Sequence, residues 1–251
     1  MQKKDRLLSA VLPIFSVGLI VVLWIISAVI VGDGMILPSI EGTFVALIDL
    51  LKSAKFYTAL LSTLLRSFVA FVISYALAFI TALLSYKYKT AKRLLVPVIT
   101  IVRTLPTIAV VLLLVVWTNS KVAPVIVTTL VVFPTLLSEF TVAFSGIDGK
   151  VLTMCEVFKV SRRDRLFKVI LPTLSPSLIS AVGFGFTLNL KLMVAAEVLS
   201  STARSLGYLM NKSYIYFETA TLTALVLITL IIGLVVDGVF SILSKKAGKF
   251  L

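Results

Sequence analysis

The stretch Lys150–Pro172, KVLTMCEVFKVSRRDRLFKVILP, decides the reading of this chain, because it is a cation-rich segment wedged between two long apolar runs in a sequence of mean hydropathy +1.12. Val157, Val160, Leu166, Val169 and Ile170 are spaced to form a broken apolar stripe on a helix. Lys159, Arg162, Arg163, Arg165 and Lys168 then face water or another protein. The spacing predicts an amphipathic helix at a membrane surface, with a face built for docking.

Outside this segment, the composition bounds the answer. The 251 residues are 59% hydrophobic and only 14% charged, which excludes an ordinary soluble domain and indicates a multi-span, all-α membrane protein occupying residues 1–251 as one unit. A net charge of +13 is no nucleic-acid signal here, since aliphatic runs divide the cations into short clusters suited to membrane edges. With Cys155 alone and no histidine, an intrachain disulfide is impossible and the usual zinc and imidazole chemistries are excluded. No cofactor or metal is expected on this chain. The N-terminus opens like a signal peptide, but its apolar run is long enough to span and lacks a small-residue cleavage site, so it reads as a retained first helix.

A spanning helix needs about 20 mostly apolar residues. Six segments qualify, at about Leu8–Val31, Ala59–Tyr86, Leu94–Thr118, Val122–Phe144, Leu174–Ser200 and Thr219–Ser244. One set of span ends carries Lys3, Lys4, Arg6, Lys87, Lys89, Lys92, Arg93, the six cations of Lys150–Lys168, Lys245, Lys246 and Lys249. The other carries only Lys52, Lys55, Lys121, Arg204 and Lys212. The positive-inside rule therefore places both termini and the 147–172 loop in the cytoplasm. On the opposite side lie a 32–58 loop with a short helix around Thr43–Leu51, and a 201–218 loop. Prolines at 97, 106, 124, 134, 172 and 176 free backbone carbonyls and bend helices, which suits a bundle that opens and closes.

Ionisable residues within spans are functional candidates. Lys191 and Glu197 lie six residues apart in the fifth span, about 9 Å along the axis, too far for easy direct pairing. Lys191 is a candidate for attracting an anionic solute and Glu197 for a gate or a contact with a binding protein; the alternative for both is pairing within the bundle or snorkelling. Arg103 in the third span is a further pathway candidate, with Glu139 of the fourth span as a neutralising partner. Arg66 and Asp237 read as helix-end or interhelix contacts, and Gly183 and Gly185 as packing residues.

Several motifs, in order, resemble the permease subunits of ATP-binding cassette importers, in particular the branch that handles nitrate, sulfonates, taurine and vitamin precursors. Leu37-Pro38-Ser39 resembles the L-P-S-P after that branch's first span, Thr63-Leu64-Leu65-Arg66 its T-L-x-R, and Arg103-Thr104-Leu105-Pro106 its R-x-I-P. Ala195-Ala196-Glu197 with Ser205-Leu206-Gly207 is similar to its A-A-E-x-L and G-L-G. The 147–172 loop fits the second half of the family's cytoplasmic pattern, through Ser161-Arg162 and Ile170-Leu171-Pro172. In the first half Thr153-Met154-Cys155 stands where E-A-A would be and Lys159 occupies the glycine position.

The resemblance implies a type I importer permease with six transmembrane helices and a cytoplasmic coupling helix, in a bacterial inner membrane. It implies a cytoplasmic ATP-binding partner that carries the ATP and magnesium, an extracytoplasmic solute-binding protein, and a permease homodimer. It places contact with the ATPase on Glu156, Lys159, Val160, Ser161, Arg162 and Arg163, with Pro172 ending the coupling helix; Glu156 is shifted three places from the family's glutamate and does not inherit its role. The chain itself lacks the G-x-x-x-x-G-K-[ST] loop of an ATPase, so energy comes from another polypeptide. Two other classes compete. A self-sufficient transporter or channel would show internal repeats, and an integral-membrane enzyme would cluster its acids at one membrane face, whereas the eleven acids here are scattered.

Overall fold

The computed structural model describes the backbone of residues 2–247, and the side chains of residue 12 and of 15–247 except 89. The side chains of Lys3, Lys4, Arg6, Lys89 and Lys249, counted above among the clustered cations, lie outside the described residues. The described chain is all helical: α1 (Gln2–Val31), α2 (Ile40–Lys52), α3 (Ala54–Lys87), α4 (Lys89–Thr104), α5 (Thr107–Trp117), α6 (Ala123–Ser145), α7 (Gly149–Val157), α8 (Arg162–Asp164), a π-helical turn (Arg165–Ile170), α9 (Leu171–Leu199), α10 (Leu206–Ile215) and α11 (Thr219–Ala247). Helices α3, α6 and α11 and the helical run 162–199 are each long and apolar enough to cross a bilayer. The apolar stretch Phe15–Val31 of α1 lies where the sequence places the first span.

The third span differs from its expectation as one continuous helix over 94–118. It breaks into α4 and α5, bent by 92°. The break falls at Leu105–Pro106 because a residue preceding proline is pushed out of the helical region, and Leu105 is extended at φ −66°, ψ 130°. Pro97, Pro134 and Pro176 remain inside helices and Pro124 sits in the first turn of α6, so only Pro106 interrupts a span.

The core lies between α3, α6 and α9. Along α3 the buried positions Ala59, Thr63, Ser67, Ala70, Ser74, Ala78 and Ala82 recur every three or four residues, forming a seam of small side chains that lets neighbouring backbones approach. Phe140 of α6 is buried in this interface, edge-on to Tyr75 and Phe79 at centroid distances of 5.0 and 5.8 Å. Gly183 and Gly185 do serve packing. A Cβ on Gly183 would lie 2.8 Å from the Cβ of Phe240 on α11, and one on Gly185 2.7 Å from Leu136 Cδ2.

The short helix read in the 32–58 loop is α2, capped by Ser39, whose Oγ accepts from the Gly42 amide at 3.0 Å. The 201–218 loop holds a helix the sequence reading did not anticipate, α10, capped in the same way by Ser205 accepting from Tyr208 at 2.9 Å. Replacing Gly183 by valine is expected to cost about 1–3 kcal/mol, because the clash is with a Cβ that cannot rotate away. The readout is thermal unfolding in detergent, with Gly238→Ala, which meets nothing within 4 Å, as the neutral comparison.

Candidate functional site

Three of the motifs meet at one carboxylate. Glu197, in the last turns of α9, is fully buried at 0% exposure, and α3 supplies the groups that compensate it. Arg66 Nε donates to Glu197 Oε1 at 2.9 Å, and Arg66 Nη2 reaches the same oxygen at 2.8 Å without hydrogen-bond alignment. Thr63 Oγ1 donates to Oε2 at 2.8 Å, while accepting from the amide of Leu206 at 2.9 Å. The Gly207 amide, at the start of α10, donates to Oε2 at 3.3 Å. A side chain at position 207 would collide with Glu197 Cβ and lie 2.6 Å from the Val198 amide nitrogen, so only glycine admits this approach.

The turn between α9 and α10 is tied into the same knot. Ser200 Oγ and Thr202 Oγ1 are 2.7 Å apart, Thr202 Oγ1 donates to the Ser120 carbonyl at 2.6 Å, and Ser205 Oγ donates to the Thr202 carbonyl at 2.7 Å. The sequence identified each motif separately but not their convergence, because residues 63, 66, 197 and 207 come together only through the packing of α3 against α9 and α10. Of the two readings of Glu197, pairing within the bundle is the one its geometry shows. Lys191 is not its partner: it is exposed, on a groove between α9 and α11 whose other lining residues are mainly apolar.

Arg103 and Glu139 do not form the ion pair the sequence suggested. Among the described residues the Arg103 guanidinium has no carboxylate within 4.0 Å, and its Nη2 instead donates to the Pro134 carbonyl at 2.8 Å. Both side chains nevertheless line one cavity of about 530 Å³ between α4, α5 and α6.

The 147–172 loop is not the single amphipathic helix expected. Asp148 caps α7, which ends at Phe158 in a reversal where Val160 donates to the Cys155 carbonyl at 2.9 Å and Lys159 to Glu156 at 3.0 Å. This pairing requires a left-handed residue just past the helix, and Lys159 fills that place at φ 51°. Ser161 then caps α8, accepting from the Asp164 amide at 3.1 Å and donating to its carboxylate at 2.8 Å.

From α8 the chain stays helical through the π turn into α9. Pro172 therefore does not end a helix; it lies in the first turn of α9, directly after the π turn, which supplies the bond from Leu171 to the Leu166 carbonyl before the proline ring is met. Of the predicted stripe, Ile170 is buried and Val160, Leu166 and Val169 are half-buried, but Val157 is exposed at 72% beside Phe158 at 74%. Lys159, Arg162 and Arg163 are exposed, and Glu156 bridges to Arg165 at 3.3 Å.

The small-residue seam, the broken third span and the helical hairpin with its exposed apolar tip define a polytopic helical membrane protein. The comparisons with known proteins agree. Residues 74–249 match the family described as binding-protein-dependent transport system inner membrane component, and the chain belongs to that family. Over 93% of its length it is 27% identical to a putative ABC transporter permease protein of Methanocaldococcus jannaschii, covering 88% of that protein. It is 22% identical, also over 93% of its length, to the putative aliphatic sulfonates transport permease protein of Bacillus subtilis, covering 85% of it. It is 24% identical to the formylaminopyrimidine transport permease protein of Halalkalibacterium halodurans, with 86% of each covered.

The fold is that of the MetNI methionine ABC transporter in inward-facing form, at TM-score 0.66 and 16% identity, covering 77% of this chain and 96% of that one. An amino acid ABC transporter matches at TM-score 0.65 and 17% identity, with 76% and 94% covered. The chain is the membrane permease subunit of an ATP-driven importer, is not itself an enzyme, and works with a separate ATPase and a solute-binding protein.

Two measurements follow from these geometries. Arg66→Met strips a buried carboxylate of its counterion and is expected to cost about 3 kcal/mol, and Arg66→Met with Glu197→Gln less than the sum of the two, with a coupling above about 1 kcal/mol in a double-mutant cycle by thermal unfolding. Lys159→Gly relieves the left-handed strain, worth about 1 kcal/mol, and slows amide exchange in α7.

Proposed function

We propose that two copies of this chain, related by a two-fold axis, form the translocation unit of an importer in the inner membrane of a prokaryotic cell. Both termini and the 147–161 hairpin face the cytoplasm, where the positive-inside excess puts them. The observation that carries the coupling role is the exposed tip of the hairpin. Met154, Val157 and Phe158 present apolar surface that none of the described residues covers, and the exposed Lys159, Arg162 and Arg163 follow directly in the chain. Such a tip suits a groove in an ATPase subunit, which would hold the ATP and magnesium; this chain would hold no cofactor of its own.

Closure of the ATPase dimer would then move the hairpin, and the continuous helical run 162–199 would carry that motion into the bundle as a stiff lever. In this reading Lys159, Val160, Ser161, Arg162 and Arg163 make or shape the contact, Glu156 braces the hairpin through Arg165, and Pro172 marks where the lever enters the membrane. Arg103 belongs to the solute path, Lys191 to the lateral surface, and Glu197 to the frame that holds the path open. The solute is a small organic or inorganic molecule such as a sulfonate, a nitrate-like anion or a vitamin precursor; relatives that transport aliphatic sulfonates and formylaminopyrimidine favour the first and the last.

The test is affinity co-purification of the detergent-solubilised chain from its native host, comparing wild type with the Arg162→Glu, Arg163→Glu variant. An ATPase recovered with wild type and lost by at least about tenfold with the variant supports the reading. An unchanged yield places the contact elsewhere, and no ATPase with either, from folded protein, sinks the importer assembly.

A further inference from the structure

Glu139 lies on α6 six residues before the helix end at Ser145, about 9 Å along the axis. The Arg103 guanidinium sits deeper, at Pro134, eleven residues and about 16 Å from that end, near the middle of a hydrocarbon layer about 30 Å thick. Among the described residues the Glu139 carboxylate makes no hydrogen bond and no ion pair within 4.0 Å, and the Arg103 guanidinium bonds only to a backbone carbonyl. Ionisable groups at this depth without a counterion must face water or a ligand.

Both line the 530 Å³ cavity, where Thr107, Thr135 and Ser138 add hydroxyls. Glu139 also lines an adjoining cavity of about 600 Å³ with Ser177 and Ser180, and Arg103 one of about 200 Å³. A polar strip therefore runs along α4, α6 and α9, with Arg103 and Glu139 together in its middle cavity and Lys92 lining the smaller one beside it. The N-terminus of α5, which has no side-chain cap and whose Thr107 faces the same cavity, adds positive potential on the Arg103 side.

We propose that Arg103 and Glu139 form a solute subsite that takes the two ends of a small amphoteric molecule: Arg103 its carboxylate- or sulfonate-type anion, Glu139 its ammonium or protonated ring nitrogen. The proposal rests on the permease reading above and narrows its solute class. A plain anion gains at Arg103 but meets the Glu139 charge, and a plain amine meets the reverse. A molecule carrying both charges replaces the water on both groups at once, so the arrangement selects by repulsion as well as attraction.

The test uses the permease–ATPase complex carrying Ser138→Cys in a Cys155→Ala background and reads the rate at which sulfonatoethyl methanethiosulfonate labels the introduced thiol. The protectants are 4-aminobutanoate, butanoate and butylamine at equal concentration. The expected result is labelling that 4-aminobutanoate slows at least about fivefold more than either single-charge analogue. Glu139→Gln should erase that advantage while leaving protection by butanoate, and Arg103→Gln should abolish protection by butanoate. A thiol that does not label, equal protection by all three, or indifference to both substitutions overturns the subsite. ATPase recovery in the same preparations separates the two failures: a complex that assembles but shows no selective protection removes only the subsite, whereas one that never assembles removes the importer reading on which it stands.

Discussion

A carboxylate with no exposed surface has to be satisfied from within the protein, and that requirement on Glu197 organises one end of the bundle. One oxygen takes the Arg66 guanidinium and the other takes a hydroxyl and a backbone amide, so α3, α9 and α10 have one mutual arrangement that meets the demand. Thr63 links the elements twice over, giving its proton to the carboxylate and accepting the first amide of α10. The close approach of Gly207 and the serine and threonine bonds of the following turn are consequences of the same constraint. A buried ion pair of this kind adds little net stability compared with apolar packing, but it penalises every arrangement that separates its members. Its contribution is to specify geometry, which a moving permease needs where its helices must stay in register.

The two faces of α9 then divide the labour. On one, Lys191 stands over a groove that is mainly apolar, and on the other Ser177 and Ser180 continue the polar strip that begins at Arg103. An exposed lysine in apolar surroundings reaches toward the interface along its own methylene stem. Arg103 and Glu139 are exposed as well, but they open into a cavity bordered by α4, α5 and α6 rather than onto an apolar groove. Hydroxyls and charges gathered on a cavity wall are the arrangement a polar solute needs to cross a hydrocarbon layer. The 92° break at Pro106 belongs to this face too: it turns the start of α5 toward the cavity and leaves that helix end without a side-chain cap.

The sequence was most legible where one physical rule dominated. Long apolar runs located α3, α6, α9 and α11, and the motifs around residues 63, 103, 197 and 207 indicated the family before any contact was known. It was least legible where two rules competed. Pro97, Pro106, Pro134 and Pro176 look alike in the chain, yet only Pro106 breaks a span, because elsewhere the surrounding helix tolerates the lost amide. Pairing was the other blind spot. The spacing of Lys191 and Glu197 correctly argued against a direct bond, but nothing in it pointed to Arg66, 131 residues away, and Glu139 looked like the partner of Arg103 because charge alone carries no direction.

The hairpin shows how a departure from a pattern can leave the geometry in place. The family pattern has a glycine where this chain has Lys159, and the backbone still makes the left-handed turn a glycine would make, with both reversing hydrogen bonds formed. Helices α9 and α10 end on the same device, with Ser201 at φ 48° and Phe217 at φ 57° in the left-handed place. Three helix ends therefore accept backbone strain without glycine, and their bonding explains how it is held: in each, the residue after the left-handed one donates across the turn to a carbonyl five residues back, at 2.9, 3.1 and 2.8 Å. Glycine at such positions is a preference that closing bonds can override, so a sequence scan that requires it will miss the turn. In the hairpin the same bonds carry an added consequence: a strained turn held by its own hydrogen bonds keeps Phe158 and Val157 pointed outward, where a partner can grip them.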